Sequence, residues 1–483
     1  MAAERNTIEV QSERVVLAAG RLPDSDHDPR DPFGELRSLA EQAGAVVVGE
    51  LSQRLEKPIP ATFLGSGKVA ELKRLCEALD AKTIIFDHDL SPKQIANIEK
   101  ETLRKVLDRS ELILDIFASR AATSEAKLQV ELAQMEYTYP RLKAMWSHLE
   151  RIVGGIGTRG PGEQQLEIDR RLVQRRKLEL QRDLEVIQAR KRREVAARKS
   201  QHFTVGIVGY TNAGKSTLFN TLTRGGAYAD DRLFATLMTR TRDWDLGGGL
   251  SVMLSDTVGF VRDIPHHLVA SFRATLEEAT HADVLLIVLD VSDPAAEIQY
   301  KVVTTVLDEL EAELKESRHE EDRYWTPPER ILLLNKIDRL NDNAEVLVWQ
   351  RREPGAMAIS AVGGDESRNG LTDLTSRIRA LALGEIGEFD VTVPLRDART
   401  IHLIETRGHV LEREYTESSV RLRARIGVRQ LALLRSAGAR LTLATSDGKD
   451  VDLAPLPGLP PAPKGWTAKG ETAVDNAPPT GHN

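Results

Sequence analysis

Residues 203–220 read FTVGIVGYTNAGKSTLFN. The apolar, β-branched run at 203–208 predicts a buried strand, and the residues after 215 fit the opening turns of a helix. Between them, 209–216 completes the pattern G-x-x-x-x-G-K-S. Gly209 and Gly214 let the backbone curl with its N–H groups inward, and the positive end of the helix points at the same spot. The loop Gly209, Tyr210, Thr211, Asn212, Ala213 and Gly214 is therefore expected to wrap phosphate groups. Lys215 is expected to reach the β- and γ-phosphate oxygens, the Ser216 hydroxyl to bind Mg²⁺, and Thr217 to contact the nucleotide.

The stretches that follow identify the nucleotide. Residues 251–255 are mostly apolar and end in Asp256-Thr257-Val258-Gly259. A carboxylate at a strand end can hold Mg²⁺ through water, and the Gly259 amide can bond the γ-phosphate. Residues 284–289 and 331–334 predict two more buried strands, the second leading into Asn335-Lys336-Ile337-Asp338. In that arrangement Asp338 accepts hydrogen bonds from the guanine N1–H and 2-amino group. Adenine offers neither and would leave the carboxylate unpaired. Asn335 braces the loop, the Lys336 stem packs on the base, and Ser360-Ala361 supplies the last loop, with the Ala361 amide directed to the guanine O6. These motifs in this order describe a GTP-binding domain of the translation-factor-like class of P-loop GTPases.

Two details bear on hydrolysis. Thr236, after Phe234 and Ala235, is the candidate switch threonine, completing the Mg²⁺ shell when the γ-phosphate is present. Lys215, Thr236 and Gly259 are thus the expected catalytic set. Residue 260 is Phe, where Ras-like proteins carry a water-orienting glutamine, so intrinsic hydrolysis is expected to be slow. Asn212 has two readings: its side-chain carbonyl ligates a K⁺ beside the phosphates, or it only stiffens the loop.

A chain of 483 residues holds about three domains. Net charge is −7, so any nucleic-acid contact needs a local basic patch. The single cysteine, Cys76, excludes an internal disulfide framework and a Cys-based zinc site. No signal core and no apolar run of membrane-spanning length is visible, so a cytoplasmic protein without a membrane span is expected.

The expected class is α/β and multidomain: a P-loop GTPase domain at 201–384, preceded by a small parallel α/β domain and an antiparallel helical hairpin, and followed by a small α+β domain. At 8–108, strands at 14–19, 45–50, 60–64 and 83–87 alternate with helices at 34–43, 66–79 and 91–101. Within it, Gly65-Ser66-Gly67-Lys68 is either a tight turn or an anion site, and Asp87-His88-Asp89 either a polar turn or a metal triplet.

At 109–200, Leu128, Leu132, Met135, Tyr139, Leu142, Trp146 and Leu149 form a coiled-coil seam that Pro140 interrupts. Leu166, Val173, Leu180 and Ile187 repeat on a second helix, after a Gly-rich tip at 153–163. That helix is basic: Arg170, Arg171, Arg175, Arg176 and Lys177, with Arg159 at the tip, are the candidate RNA-binding cations. Residues 385–454 alternate like a small α+β domain, and 455–483, rich in proline, glycine and small residues, predicts disorder.

The strings LGSGKVAEL, FDHDLSPKQIANIE, DRSELILDIFASRA, KLQVELAQMEY, GGIGTRGPGE and LEIDRR, with LFATL and DTVGF, make the chain resemble the HflX family of GTPases over roughly residues 30–385. The resemblance implies GTP hydrolysis stimulated by the large ribosomal subunit and its rRNA. It implies a hairpin loop near the peptidyl-transferase region and a role in splitting or rescuing stalled ribosomes under stress. It also implies ATP binding by the N-terminal domain, with residues 65–68 as one contact. Where the family continues with Asp-Pro-Thr after the switch threonine, this chain has Met238-Thr239-Arg240. The residues alone also fit a large-subunit assembly GTPase, an RNA-binding nucleotide switch, or an RNA-remodelling ATPase.

Overall fold

In the computed structural model, which describes residues 13–23, 30–153, 161–199, 201–224, 239–262, 279–316, 325–362, 369–436, 438–445 and 448–451, the strands form three sheets. The first is parallel, built from β1 (Arg14–Arg21), β2 (Val46–Arg54), β3 (Thr83–Phe86) and β4 (Lys105–Leu107) in the order β2-β1-β3-β4. It is accompanied by α1 (Gly34–Gln42), α2 (Ser66–Ala78), α3 (Pro92–Thr102) and α4 (Arg109–Arg120). Helix α3 opens with a capping box between Ser91 and Gln94 and carries Pro92 at its first position.

Three features differ from the sequence reading. Residues 60–64 are not a strand: Pro58 and Pro60 withhold ladder donors, and Ile59 and Phe63 close a tight turn with Phe63 at φ 62°. The three-residue strand β4 is too short to announce itself. Helix α4 belongs to the N-terminal domain and not to the arm, because Leu112, Ile113, Ile116 and Phe117 pack with Leu17, Leu36 and Leu39.

The arm is two helices, α5 (Ser124–Val153) and α6 (Pro161–Lys199). Leu132, Leu180 and Leu184 bury each other, flanked by Leu128 and Met135. Glu131 pairs with Arg176 at 2.9 Å, Glu136 with Lys177 at 3.0 Å and Glu125 with Lys191 at 3.8 Å, an antiparallel register. Helix α5 runs through position 140 as one helix, where the proline predicts an interruption. Arg159 and most of the tip lie outside the described residues, as do the side chains of Leu142, Trp146, Leu149, Leu166 and Arg170.

The central sheet holds β5 (Thr204–Gly209), β6 (Arg240–Asp245), β7 (Ser251–Asp256), β8 (Val284–Asp290), β9 (Glu329–Asn335) and β10 (Met357–Ala358) in the order β10-β9-β8-β5-β7-β6. All but the edge strand β6 are parallel. Every residue of β8 is buried, as its unbroken apolar run requires of a strand covered on both faces. Helices α7 (Lys215–Leu222), α8 (Ala296–Glu316), α9 (Ala344–Arg352) and α10 (Leu371–Leu383) belong to the same domain. Two apolar clusters contain Val205 and Leu254 on one side and Val208 and Leu307 on the other.

The third sheet is antiparallel, with β11 (Ile386–Pro394), β12 (His409–Tyr415), β13 (Ser419–Gly427) and β14 (Thr442–Thr445) ordered β12-β13-β11-β14. With α11 (Ala398–Arg407) and α12 (Val428–Ser436) it makes a β-α-β-β-α-β split unit, an arrangement that alternation alone does not disclose. The region 455–483 lies outside the described residues. Among the described residues no helix is long and apolar enough to cross a membrane.

Candidate nucleotide site

The carboxyl ends of the parallel strands bring the predicted motifs to one edge, where ligands of open α/β sheets bind. Gly209 (φ 153°) and Gly214 (φ 95°) shape the loop. A Cβ on Gly214 would lie 2.2 Å from Asn335 Nδ2, and one on Gly209 would lie 2.3 Å from the Val288 carbonyl. Asn212 takes the left-handed conformation at φ 61°, which asparagine tolerates better than most residues. Its side chain is exposed.

Lys215, the first residue of α7, donates from Nζ to the Tyr210 carbonyl at 2.6 Å. The Ser216 hydroxyl donates to Asp256 Oδ2 at 3.0 Å, and Asp256 is fully buried at the end of β7. An oxygen pair of this kind suits a hard cation such as Mg²⁺, which Ser216 and Asp256 would hold. Gly259 stands against the loop: a Cβ there would meet Lys215 Nζ at 2.8 Å and Thr211 Cγ2 at 2.9 Å. Phe234, Ala235, Thr236 and Met238 lie outside the described residues.

On the base side, Asn335 donates from Nδ2 to the Ala213 carbonyl at 2.7 Å and accepts the Ala361 amide on Oδ1 at 3.0 Å. One side chain thus ties the phosphate loop to the base loop. The Ala361 N–H, expected on the guanine O6, is engaged by this brace. Lys336 (φ 64°) donates to the Asn212 carbonyl at 2.7 Å and pairs with Asp290 at 2.7 Å. The Ser360 hydroxyl donates to Asp338 Oδ1 at 2.6 Å and so fixes the carboxylate of an exposed residue.

Several predicted residues do other work. The Thr257 hydroxyl donates to the Ile207 carbonyl, and Val258 packs into the N-terminal core, so their side chains turn away from the loop. The Tyr210 side chain also leaves the site, donating to Glu35 Oε1 at 2.5 Å. Thr217 lies in the first turn of α7, where its carbonyl accepts the Thr221 hydroxyl. Asp87, His88 and Asp89 do not converge: Asp87 meets Arg109 and Arg262, His88 meets the Gly20 backbone, and Asp89 accepts the Ser110 hydroxyl. Among the described residues no cluster of three His, Cys, Asp or Glu is placed to hold a metal. The Gly65 amide donates to Gln53, and Lys68 pairs with Glu71, so both are engaged within their own domain.

Sequence reasoning missed Asp290 and Thr221. Asp290 stands opposite Asn335 in the β8–β9 register, and Thr221 donates its hydroxyl to the Ala361 carbonyl. The acidic end of the run VLLIVLD was the available signal for the first.

Burial pushes the Lys215 ammonium down to about 8; Asp256 raises it and Lys336 lowers it further. Nucleotide phosphates stabilise the charged form and raise that value, so binding above pH 8 takes up a proton. Nucleotide affinity is expected to be flat below pH 7 and to fall by up to about tenfold per pH unit above 8. Fluorescent-GDP titration from pH 6.5 to 9.5 measures this, and a flat profile contradicts it.

Family models described as "GTP-binding GTPase N-terminal", "GTP-binding GTPase Middle Region" and "50S ribosome-binding GTPase" match residues 30–118, 120–198 and 204–336. A curated GTPase HflX of Lacrimispora saccharolytica is 41% identical, over 84% of this chain and 92% of its own length. The GTPase HflX of Escherichia coli K12 is 39% identical, over 83% of this chain and 91% of its own length. Among solved structures, a GDP complex of SsGBP is similar at 26% identity with a TM-score of 0.42, covering 77% of this chain and 98% of that one.

Proposed function

Because this chain belongs to the HflX family of GTPases and hydrolyses GTP, we propose that its GTP form binds the large ribosomal subunit and splits or rescues stalled ribosomes. The observation that carries this reading is the arm. Of its two long antiparallel helices, α5 is rooted through Val130, Ala133 and Tyr137 in the same core that receives Val258, next to Gly259. Of the cations on α6, Arg176 and Lys177 brace the hairpin through Glu131 and Glu136. Arg171 and Arg175 are exposed on its surface, and with Arg170 and Arg159 they are the residues proposed to meet rRNA phosphates.

Mg²⁺ is the divalent ion this class of enzyme uses. Ser216 and Asp256 would hold it here, joined by Thr236 in the GTP state. The Phe260 side chain is buried in the core beside Tyr210 and Ala279 and cannot orient a water. The missing help comes in this reading from the ribosome, with a K⁺ at Asn212 adding positive charge beside the phosphates.

Sedimentation of intact ribosomes with the protein tests the splitting step. A shift to free subunits is expected with GTP or a non-hydrolysable analogue, and none with GDP. Intact ribosomes under all three conditions contradict splitting, and tight binding to immature large particles alone favours an assembly role.

A further inference from the structure

The N-terminal sheet changes winding direction between β1 and β3, the place where doubly wound sheets usually bind a ligand. Here that end of β3 receives a side chain of the GTPase domain. Asp87, just past β3, pairs with Arg109 at 2.6 Å and with Arg262 at 2.8 Å. Glu35 of α1 pairs with Arg109 at 2.9 Å and lies 3.7 Å from Arg262. Asp87, Arg109 and Arg262 are nearly inaccessible to solvent. Arg109 also donates to the Arg262 carbonyl at 3.3 Å.

Tyr210 joins this cluster to the phosphate loop. Its hydroxyl donates to Glu35 and accepts the Arg262 amide at 2.7 Å, while its carbonyl accepts from Lys215. Arg262 lies three residues beyond Gly259, whose amide is aimed at the γ-phosphate in this enzyme class. Val258 and Val261, on either side of that glycine, pack in one core with α4 and with Val130, Ala133 and Tyr137 of α5. The Tyr137 hydroxyl donates to Asp108 at the start of α4. The stretch that senses the γ-phosphate and the root of the arm therefore share one packed unit.

We propose that Glu35, Asp87, Arg109 and Arg262 form a latch through which GTP, as distinct from GDP, and the seat of the helical arm stabilise each other. Glu35 is its positioning residue, acting through Tyr210 and Arg262 and touching no nucleotide. A buried ion cluster suits such a device. An apolar contact tolerates a small slide, whereas moving Arg262 strips the buried Asp87 carboxylate of one of its two cationic partners. Coupling of this kind is reciprocal: whatever GTP binding contributes to the latch, the latch contributes to GTP affinity. The proposal rests on GTP binding alone and needs no ribosome.

The test uses the full chain, without ribosomes. Affinities for GDP and for a non-hydrolysable GTP analogue with Mg²⁺ are measured in wild type, Glu35→Gln, Tyr210→Phe and the double variant. Glu35→Gln is expected to weaken the analogue by about tenfold and GDP by less than twofold, a typical allosteric coupling. Because both changes cut one path, the double variant is expected to lose little more than either alone. Hydrogen exchange across residues 109–137 is expected to slow on analogue binding in wild type and not in Glu35→Gln. Equal losses for both nucleotides, or no loss, overturn the latch, as do fully multiplicative single effects or identical exchange in both proteins. If Glu35→Gln does not fold, Tyr210→Phe, which keeps the ring in the core, decides: an unchanged analogue-to-GDP ratio overturns the proposal.

Discussion

Replacing Asp338 by asparagine is expected to lower GTP affinity by about a thousandfold or more and to create affinity for xanthosine nucleotides. Asp338 follows β9 in a short turn, and the Ser360 hydroxyl fixes one of its oxygens at 2.6 Å. A carboxylate there accepts from both guanine donors. An amide accepts one and sets its own N–H₂ against the guanine amino group. Sites built around a ligand's donors discriminate by such large factors because a mismatch strands polar groups on both sides. Xanthine carries a carbonyl where guanine has the amine, which restores both bonds. A thousandfold corresponds to about 4 kcal/mol. Titration of Asp338→Asn with GDP and xanthosine diphosphate checks the exchange, and unchanged GDP affinity removes Asp338 from the base site.

Lys215→Ala is expected to separate activity from stability. The ammonium is buried and bonded to the Tyr210 carbonyl, in position to neutralise β- and γ-phosphate charge. Its removal is expected to cost about a hundredfold in nucleotide affinity and about 10³-fold in turnover, as loss of a preorganised donor at developing charge does. The nucleotide-free fold is expected to respond in the opposite direction. A lysine pushed from 10.5 to about 8 by burial carries a cost of roughly 3 kcal/mol below pH 8. The sign follows from the direction of the shift: the charged form is disfavoured in the folded state, so the cost is full below the folded value and disappears above 10.5. Wild-type stability is therefore expected to gain from this group as pH rises from 8 to 10.5, and Lys215→Ala to lack that gain. Denaturant melts of the nucleotide-free proteins at pH 7 and 10 measure it; a variant destabilised by several kcal/mol at pH 7 contradicts the account.

The parts of this molecule legible in its sequence are those where chemistry is local. The phosphate loop, the turn after β9 and the buried strand β8 declare themselves because glycine geometry, hydrogen-bond donors and burial act within a few residues. The arm was legible through its leucine spacing, although Leu132, Leu180 and Leu184 show that only pairing across the hairpin says which leucines bury each other. Its cations were legible as charges and not as partners, since Arg176 and Lys177 are used by Glu131 and Glu136. The short strands β4 and β14 depend on neighbours far along the chain. The 60–64 segment misled because its apolar residues serve the core through a turn and not through a ladder. Least legible was Tyr210, read as part of a phosphate loop. Its carbonyl does serve that loop, but its hydroxyl serves Glu35, 175 residues earlier.

The most direct measurement is GTP turnover by the full chain, with and without purified large ribosomal subunits, run in parallel K⁺ and Na⁺ buffers. The account predicts slow turnover alone, because the Phe260 side chain is buried and cannot orient the water. It predicts a rise of about a hundredfold with the subunit, or about 2.7 kcal/mol of barrier, and faster turnover in K⁺. Tight GTP binding with no response to the subunit in either salt would contradict the ribosomal role.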